Sequence, residues 1–443
     1  MGDLSTPNKV QELQAALHAK AKGSPGYRFY SLYDKVYRAD VLAAAFRRCR
    51  ANGGAAGTDG QRFEDIKAYG EERWLGELAL ELKEKRYQAQ AIRRVFIPKP
   101  NGKLRPLGIS PIRDRVVMMA AVLVLEPIFE ADLQPEQHAY RVGRNALSAV
   151  GQVHRLLNTG HTQVIDADLS AYFDSIPHPE LLKSVARRVC DRQMLHLIKM
   201  WLTAPVEEDD GKGGKKRTTS NRDQKQGTPQ GSPLSPLLSS VYMRRFILGW
   251  RKLGYAERFG AHIVNYADDL VICCKQGAGE AMEAMRQTME RLKLTVNEEK
   301  TRVCQIPQET FDFLGYTFGR CYSSQTGRAF IGTRPSRKSI RRMVAKISAE
   351  TERRTTYRDV GELIERLNDG LRGWANYFRL GPVSKAYKVL DAHTKNRLRR
   401  WLCRKHKIEG GTTQSRYPDQ FLHGKLGLIC LSELTKSFPW AKA

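Results

Sequence analysis

Two consecutive carboxylates, Asp268 and Asp269, sit between two short apolar runs in the segment NYADDLVICC. A strand-turn-strand with Asp-Asp at its tip makes a poor surface hairpin. Two carboxylates about 4 Å apart repel by about 4 kcal/mol at an effective dielectric of about 20, and a divalent ion relieves that repulsion. The competing reading is an Asp-rich β-turn, where these residues are common. A second acidic strand end lies in VIDADLSAYFDSIPH, in which Val164, Asp166 and Asp168 share one face while Ile165, Ala167 and Leu169 share the other and suit burial. Asp168 can thus sit beside the Asp268-Asp269 turn, with Asp166 and Asp174 as rivals. Hard carboxylate oxygens suit Mg²⁺, which takes few protein ligands and completes its octahedron with water and substrate phosphates. Two such ions serve an in-line phosphoryl displacement, one activating the attacking hydroxyl and the other stabilising the leaving oxygen.

These acids need strands to carry them. The pattern predicts a strand from Thr162 to Leu169 and two more, Ala261 to Asn265 and Leu270 to Cys274, flanking Tyr266-Ala267-Asp268-Asp269. Upstream, Ala91 to Ile97 reads as a strand, and Pro98, Asn101-Gly102 and Pro106 punctuate a hairpin carrying Lys99, Lys103 and Arg105. Ser110-Pro111 opens a helix. Asp40 is expected to cap a helix through Val41, Leu42, Ala45, Phe46 and Cys49 that stops at Asn52-Gly53-Gly54. The stretch from Glu207 to Lys225 has no apolar periodicity and reads as a solvated loop or hairpin tip.

Beyond Thr333, Ile340, Met343, Val344 and Ile347 recur at helical spacing while Arg337, Lys338, Arg341, Arg342 and Lys346 occupy other faces. Two further helical runs follow, from Leu363 to Phe378 and from Ser384 to Cys403. Residues 334–407 hold 21 basic and 7 acidic residues, a net +14 out of +27 for all 443 residues. A polyanionic partner is the natural implication of such a surface. The apolar run Val116 to Leu125 is half the ~20 residues a bilayer requires, so no membrane partner is expected. The N-terminus lacks a signal or transit pattern, which points to a cytoplasmic protein. Eight scattered cysteines without a C-x-x-C pair indicate neither a disulfide framework nor a zinc knuckle.

Taken in order, VIDADLSAYFDSIPH, QGTPQGSPLSPLL, NYADDLVICC, LTVNEEKT and FDFLGYTF resemble the successive blocks of reverse transcriptases. IPKPNGKLRPLGIS, the preceding ANGGAAGTDG, the later LRGWANYFR and the terminal RYPDQFLHGKLGL are similar to the group II intron branch with maturase activity. The resemblance implies that Asp168, Asp268 and Asp269 bind two catalytic Mg²⁺ ions, with Mn²⁺ a substitute, and that Tyr266 lies near the primer end. It implies that Lys99 and Arg105 clamp an incoming dNTP, that Gln230 contacts the nucleotide or template, and that Phe173, or its neighbour Tyr172, blocks a ribose 2′-OH. Arg337, Arg341 and Arg342 would grip primer and template. Arg141-Val142-Gly143 departs from the family's Arg-Pro-Gly, and no C-terminal HNH endonuclease pattern follows.

The expected fold is an α+β right-hand polymerase: an N-terminal extension (1–60), fingers (61–160), a palm of antiparallel strands (161–325), a helical thumb or maturase domain (326–407) and a short basic tail (408–443), a candidate remnant of a DNA-binding segment. The expected activity is RNA-directed DNA synthesis from a primer 3′-OH, with binding of a group II intron RNA to assist splicing and mobility, acting as monomer or homodimer. The alternatives are a reverse transcriptase domesticated for antiviral defence or spacer acquisition, and a splicing-only RNA-binding maturase.

Overall fold

The computed structural model describes residues 7–98, 102, 104–209, 214–323, 326–408, 410 and 412–434. They form a mixed α/β structure in which three sheets, built almost wholly of antiparallel pairs, are set among helices. The sheet that carries the acids has strand order β6-β7-β3-β8, from β3 (Gln163–Asp168), β6 (His262–Tyr266), β7 (Asp269–Cys274) and β8 (Arg302–Gln305). Both of its faces are covered. Ile165, Ala167, Leu270 and Ile272 join the large N-terminal core with the helices Ser235–Lys252 and Ala278–Arg291, while Val164, Val264, Val271 and Cys273 pack under the Ala146–Asn158 helix. Burial on both faces explains why β7 reads DLVICC, an almost unbroken apolar run rather than an alternating one.

The expected hairpin is present as β1 (Ile92–Pro98) and β2 (Leu104–Ile109), antiparallel with Ile97 opposite Arg105. A second pair, β4 (Val206–Asp209) and β5 (Lys215–Thr218), extends this sheet through a parallel contact of β4 with β1. The segment read from sequence as solvated loop or hairpin tip is therefore part strand, and the reason is electrostatic. Its register sets Glu207 opposite Arg217, Glu208 opposite Lys216 and Asp209 opposite Lys215, so unlike charges face one another across the ladder, and Glu208 is ion-paired to Arg94 of β1 at 2.8 Å.

Asp40 is not the cap of its helix. The helix is Ala39–Asn52, Arg38 takes the N-cap position, and Asp40 lies in the first turn, where it favours the helix dipole and accepts from Arg38 Nε at 3.0 Å. The Ile112–Glu130 helix runs through Pro127 without ending there. Proline has no N–H, which orphans the Leu123 carbonyl one turn back, and Gln14 Nε2 of the Asn8–Gly23 helix donates to that oxygen at 2.9 Å. No helix among the described residues is long and apolar enough to cross a membrane.

The remaining sheet, β9 (Phe311–Phe313), β10 (Tyr316–Tyr322) and β11 (Ala329–Pro335), leads into the helices Arg337–Glu350, Val360–Tyr377 and Ser384–Lys405. These helices share a core of their own around Met343, Leu367, Tyr387 and Trp401. Tyr417, Leu422, Leu428 and Leu431 complete that core, and Asp391 accepts hydrogen bonds from the backbone N–H groups of Leu431 and Ser432. Among the described residues, packing thus runs without a break past position 408.

Candidate active site

Two antiparallel pairings bring the acids together. Asp168 is the last residue of β3 and stands directly opposite Asp269, the first residue of β7, while Tyr266 at the end of β6 faces Asp269 from the other side. Asp268 is in the two-residue turn between β6 and β7. That turn is tight: Ala267 has φ +58°, a conformation in which an L-residue costs about 1–2 kcal/mol. Buried Asn265 holds it, donating from Nδ2 to the carbonyls of Ala267 at 2.9 Å and Asp269 at 3.3 Å. The segment before Ala139 lies along β6 as well, since His138 N–H donates to Asn265 O and Asn265 N–H to Glu136 O, each at 2.9 Å.

Asp168 is fixed by the turn that precedes β8. Asn297 N–H donates to Asp168 O at 2.8 Å, the Asp168 N–H donates to Thr301 Oγ1 at 3.3 Å, and Asp168 Oδ2 accepts from Asn297 Nδ2 and Lys300 Nζ, both at 3.0 Å. Burial, then the charges of Asp268, Asp168 and Asp166, pushes the Asp269 carboxyl up to about 7, with Lys300 opposing. Asp166, one turn of the pleat back from Asp168, is pushed up to about 6, chiefly by burial. Two aromatic residues flank the acids. Burial, followed by the nearby charges of Asp268 and Tyr266, raises the Tyr140 phenol, and burial with Tyr266 and Asp269 nearby takes Tyr377 to about 12. Tyr140 itself has φ +57° and is half exposed. Arg141 beyond it is clamped by Glu130, with Nε 3.0 Å from Oε1.

By type the carboxylates suit Mg²⁺: they are oxygen donors at adjacent strand ends whose mutual repulsion a divalent charge would relieve. Among the described residues no group of three or more His, Cys, Asp and Glu side chains is placed to hold a metal ion by itself; Mg²⁺ commonly takes few protein ligands and fills its shell with water and substrate phosphates.

Arg105 is exposed on β2 and donates from Nε to Gln230 Oε1 at 3.0 Å. Gln230 in turn donates from Nε2 to Asp174 Oδ2 at 2.9 Å. The Gln230 loop is bolted to both neighbours by backbone: Gly108 N–H donates to Gln230 O at 2.7 Å, and Thr228 N–H to Phe173 O at 2.7 Å. Phe173 is half-buried against the core, and adjacent Tyr172 is buried with its hydroxyl donating to Ser239 O at 2.7 Å. Lys99 lies outside the described residues. Arg337, Arg341 and Arg342 are exposed on their helix. Arg342 and Lys346 line a cavity of about 660 Å³ with Leu314, Gly315, Trp374 and Tyr377. Cys403, His406, His423 and Cys430 hold no common centre among the described residues.

Sequence reading did not single out Asn265, Asn297, Lys300, Thr301, Tyr140 or Tyr377. Asn297, Lys300 and Thr301 stand in the block LTVNEEKT, and only the fold of the chain shows that this block closes on Asp168.

Residues 97–318, half of the chain, match the family model described as reverse transcriptase (RNA-dependent DNA polymerase), and residues 340–417 match the group II intron, maturase-specific domain. Protein YkfC of Escherichia coli (strain K12) is 31% identical over 381 residues, covering 77% of this chain and 96% of the relative. The group II intron-encoded protein LtrA of Lactococcus lactis subsp. cremoris is 30% identical over 224 residues, covering 50% of this chain and 35% of LtrA. Among solved structures, a partial Cas6-RT-Cas1--Cas2 complex has 24% identity and a TM-score of 0.35, covering 59% of this chain and 42% of the other. The chain belongs to the reverse transcriptase family, the RNA-dependent DNA polymerases, and carries a group II intron maturase-specific domain.

Proposed function

We propose that this protein adds deoxynucleotides to a primer 3′-OH on an RNA template and grips a group II intron RNA to assist its splicing and mobility. The observation that supports this reading best is the register of β3 on β7, with Asp168 across from Asp269 and Asp268 one residue away. Asp168, Asp268 and Asp269 would hold two Mg²⁺ ions, which would activate the primer hydroxyl and neutralise charge on the departing pyrophosphate. Lys300, hydrogen-bonded to Asp168, offsets part of the excess negative charge before metal arrives.

The rest of the site positions reactants, which is where most of the catalysis in phosphoryl transfer comes from. Arg105, and Lys99 with it, clamps the triphosphate, Arg105 as a fork and Lys99 as a point charge. Gln230 lies beneath the nucleotide. Phe173 or Tyr172 walls the ribose and excludes a 2′-OH, and Tyr266 abuts the primer end. In right-hand terms, residues 61–160 are the fingers, 161–325 the palm and 326–407 the thumb, with a short region beyond. Arg337, Arg341 and Arg342 face an A-form duplex and read its phosphates and shape rather than its sequence. The same basic helices hold intron RNA, and the activity takes place in the cytoplasm.

Primer extension on an RNA template with dNTPs and Mg²⁺ tests the polymerase half of this reading. Synthesis should depend on the divalent ion, continue with Mn²⁺ and stop with chelator. Splicing of a cognate intron with and without the protein tests the other half, and an unchanged splicing rate would remove the maturase role.

A further inference from the structure

Asp174 was a rival for the metal site by sequence, yet its carboxylate is engaged elsewhere. It follows β3 in the short helix Tyr172–Ser175, and its Oδ2 accepts from Gln230 Nε2 at 2.9 Å. Gln230 Oε1 then accepts from Arg105 Nε at 3.0 Å. The chain Asp174–Gln230–Arg105 thus links three elements: the helix after the catalytic strand, the Gln230 turn and the β1–β2 hairpin. A primary amide is a donor at one end and an acceptor at the other. With the amide turned round, its oxygen would face the Asp174 carboxylate and its NH₂ would face the Arg105 guanidinium, and both contacts would be repulsive. A negative group on one side and a positive group on the other therefore set the amide in one sense only.

We propose that Asp174 is a positioning residue for nucleotide binding, acting through Gln230 to aim Arg105 at the incoming triphosphate. The inference rests on the proposed nucleotide-binding role of Arg105 and Gln230. The backbone between the partners is already tied, since Gly227 N–H donates to Ile176 O at 2.9 Å and Thr228 N–H to Phe173 O at 2.7 Å. Loss of the carboxylate should therefore free the amide without moving the loop. Gln230 can then rotate, Arg105 loses its acceptor, and the guanidinium must be ordered anew each time a nucleotide binds.

The test is steady-state single-nucleotide incorporation on an RNA template by the full chain, with KM for dNTP and kcat measured separately for Asp174→Ala, Asp174→Asn, Gln230→Ala and Arg105→Ala. Asp174→Ala should raise KM about tenfold with kcat within about twofold of the parent. Asp174→Asn keeps an oxygen that can accept from Gln230 and should recover most of the loss. If Arg105→Ala and Gln230→Ala raise KM while Asp174→Ala leaves it unchanged, or if Asp174→Ala acts wholly on kcat, the positioning role is overturned. If Arg105→Ala and Gln230→Ala themselves leave KM unchanged, the nucleotide-binding reading fails first. Thermal melting of each variant separates a general loss of fold, which the Asn variant would share, from the KM effect.

Discussion

Gly231, next to Gln230, lies where the turn meets the hairpin, and Gly231→Ala should disable nucleotide binding without touching any charged group. Its φ is +107°, and a Cβ there would lie 2.5 Å from Gly108 O and 3.1 Å from Leu107 Cδ1. The nearer contact is with backbone, so no side chain can swing aside to relieve it. Holding alanine in that conformation costs about 1–3 kcal/mol. Shifting the turn to relieve the contact also breaks the Gly108 N–H to Gln230 O bond, 2.7 Å long, at a further net cost of about 1 kcal/mol. The combined penalty of about 2–4 kcal/mol corresponds to about 30- to 1000-fold in kcat/KM if it falls entirely on the active arrangement. Single-nucleotide incorporation with the dNTP varied, run beside a thermal melt, reads both destinations of the strain. A variant with kcat/KM within about threefold of the parent and an unchanged melting temperature would refute the argument, because the strain would then appear nowhere.

Three other outcomes follow from particular contacts. Arg188→Met should destabilise the fold by about 3–5 kcal/mol in urea titration, because it leaves Asp132 without its partner and unbinds the carbonyls of Ala21, Ser24, Pro25 and Tyr27; a loss under about 1 kcal/mol would contradict this. Burial pushes Asp114 up to about 6 even though Tyr87 Oη–H and Gln90 N–H donate to it, so the stability it contributes is fully present below its unfolded pKa of about 4 and lost as pH rises through 6. Between pH 5 and pH 7.5 the stability of Asp114→Asn relative to the parent should accordingly shift by about 1 kcal/mol in favour of the variant, and a shift of the opposite sign would show that the carboxylate is favoured in the fold. Phe173→Ala should raise use of ribonucleotides, measured as the dNTP to rNTP ratio of kcat/KM. An unchanged ratio there with a lowered one in Tyr172→Phe or Tyr172→Ala would move the wall to Tyr172, whose ring lies 5.5 Å from that of Phe173.

The acids were legible in the sequence because strands alternate and because two Asp at a hairpin tip are costly without a counter-charge. The β1–β2 hairpin was legible from its Pro and Asn-Gly punctuation, and the basic helices from their period. What escaped were features decided by partners distant in the chain. The β4–β5 pair contains no apolar run; unlike charges face one another across it, and Glu208 ties it to Arg94 of β1, a partner more than 100 residues away. Asp40 looked like a cap by type, but a cap is defined by backbone angles, and the extended residue is Arg38 with ψ 136°. Asn297 and Lys300 are over 120 residues from Asp168, and only the pairing of β3 with β8 reveals that they orient it. Tyr140 reaches the site through a backbone contact of its segment with β6, which no local pattern encodes.

Replacing Asp168, Asp268 and Asp269 one at a time by Asn, and measuring single-turnover primer extension with Mg²⁺ beside primer-template affinity, tests the central claim most directly. Each variant should lose at least about 1000-fold in rate, about 4 kcal/mol of transition-state stabilisation, while binding the duplex within about threefold of the parent. Extension at more than about a tenth of the parental rate by any one of the three, with the nucleic acid still bound, would contradict a shared metal pocket built from these acids.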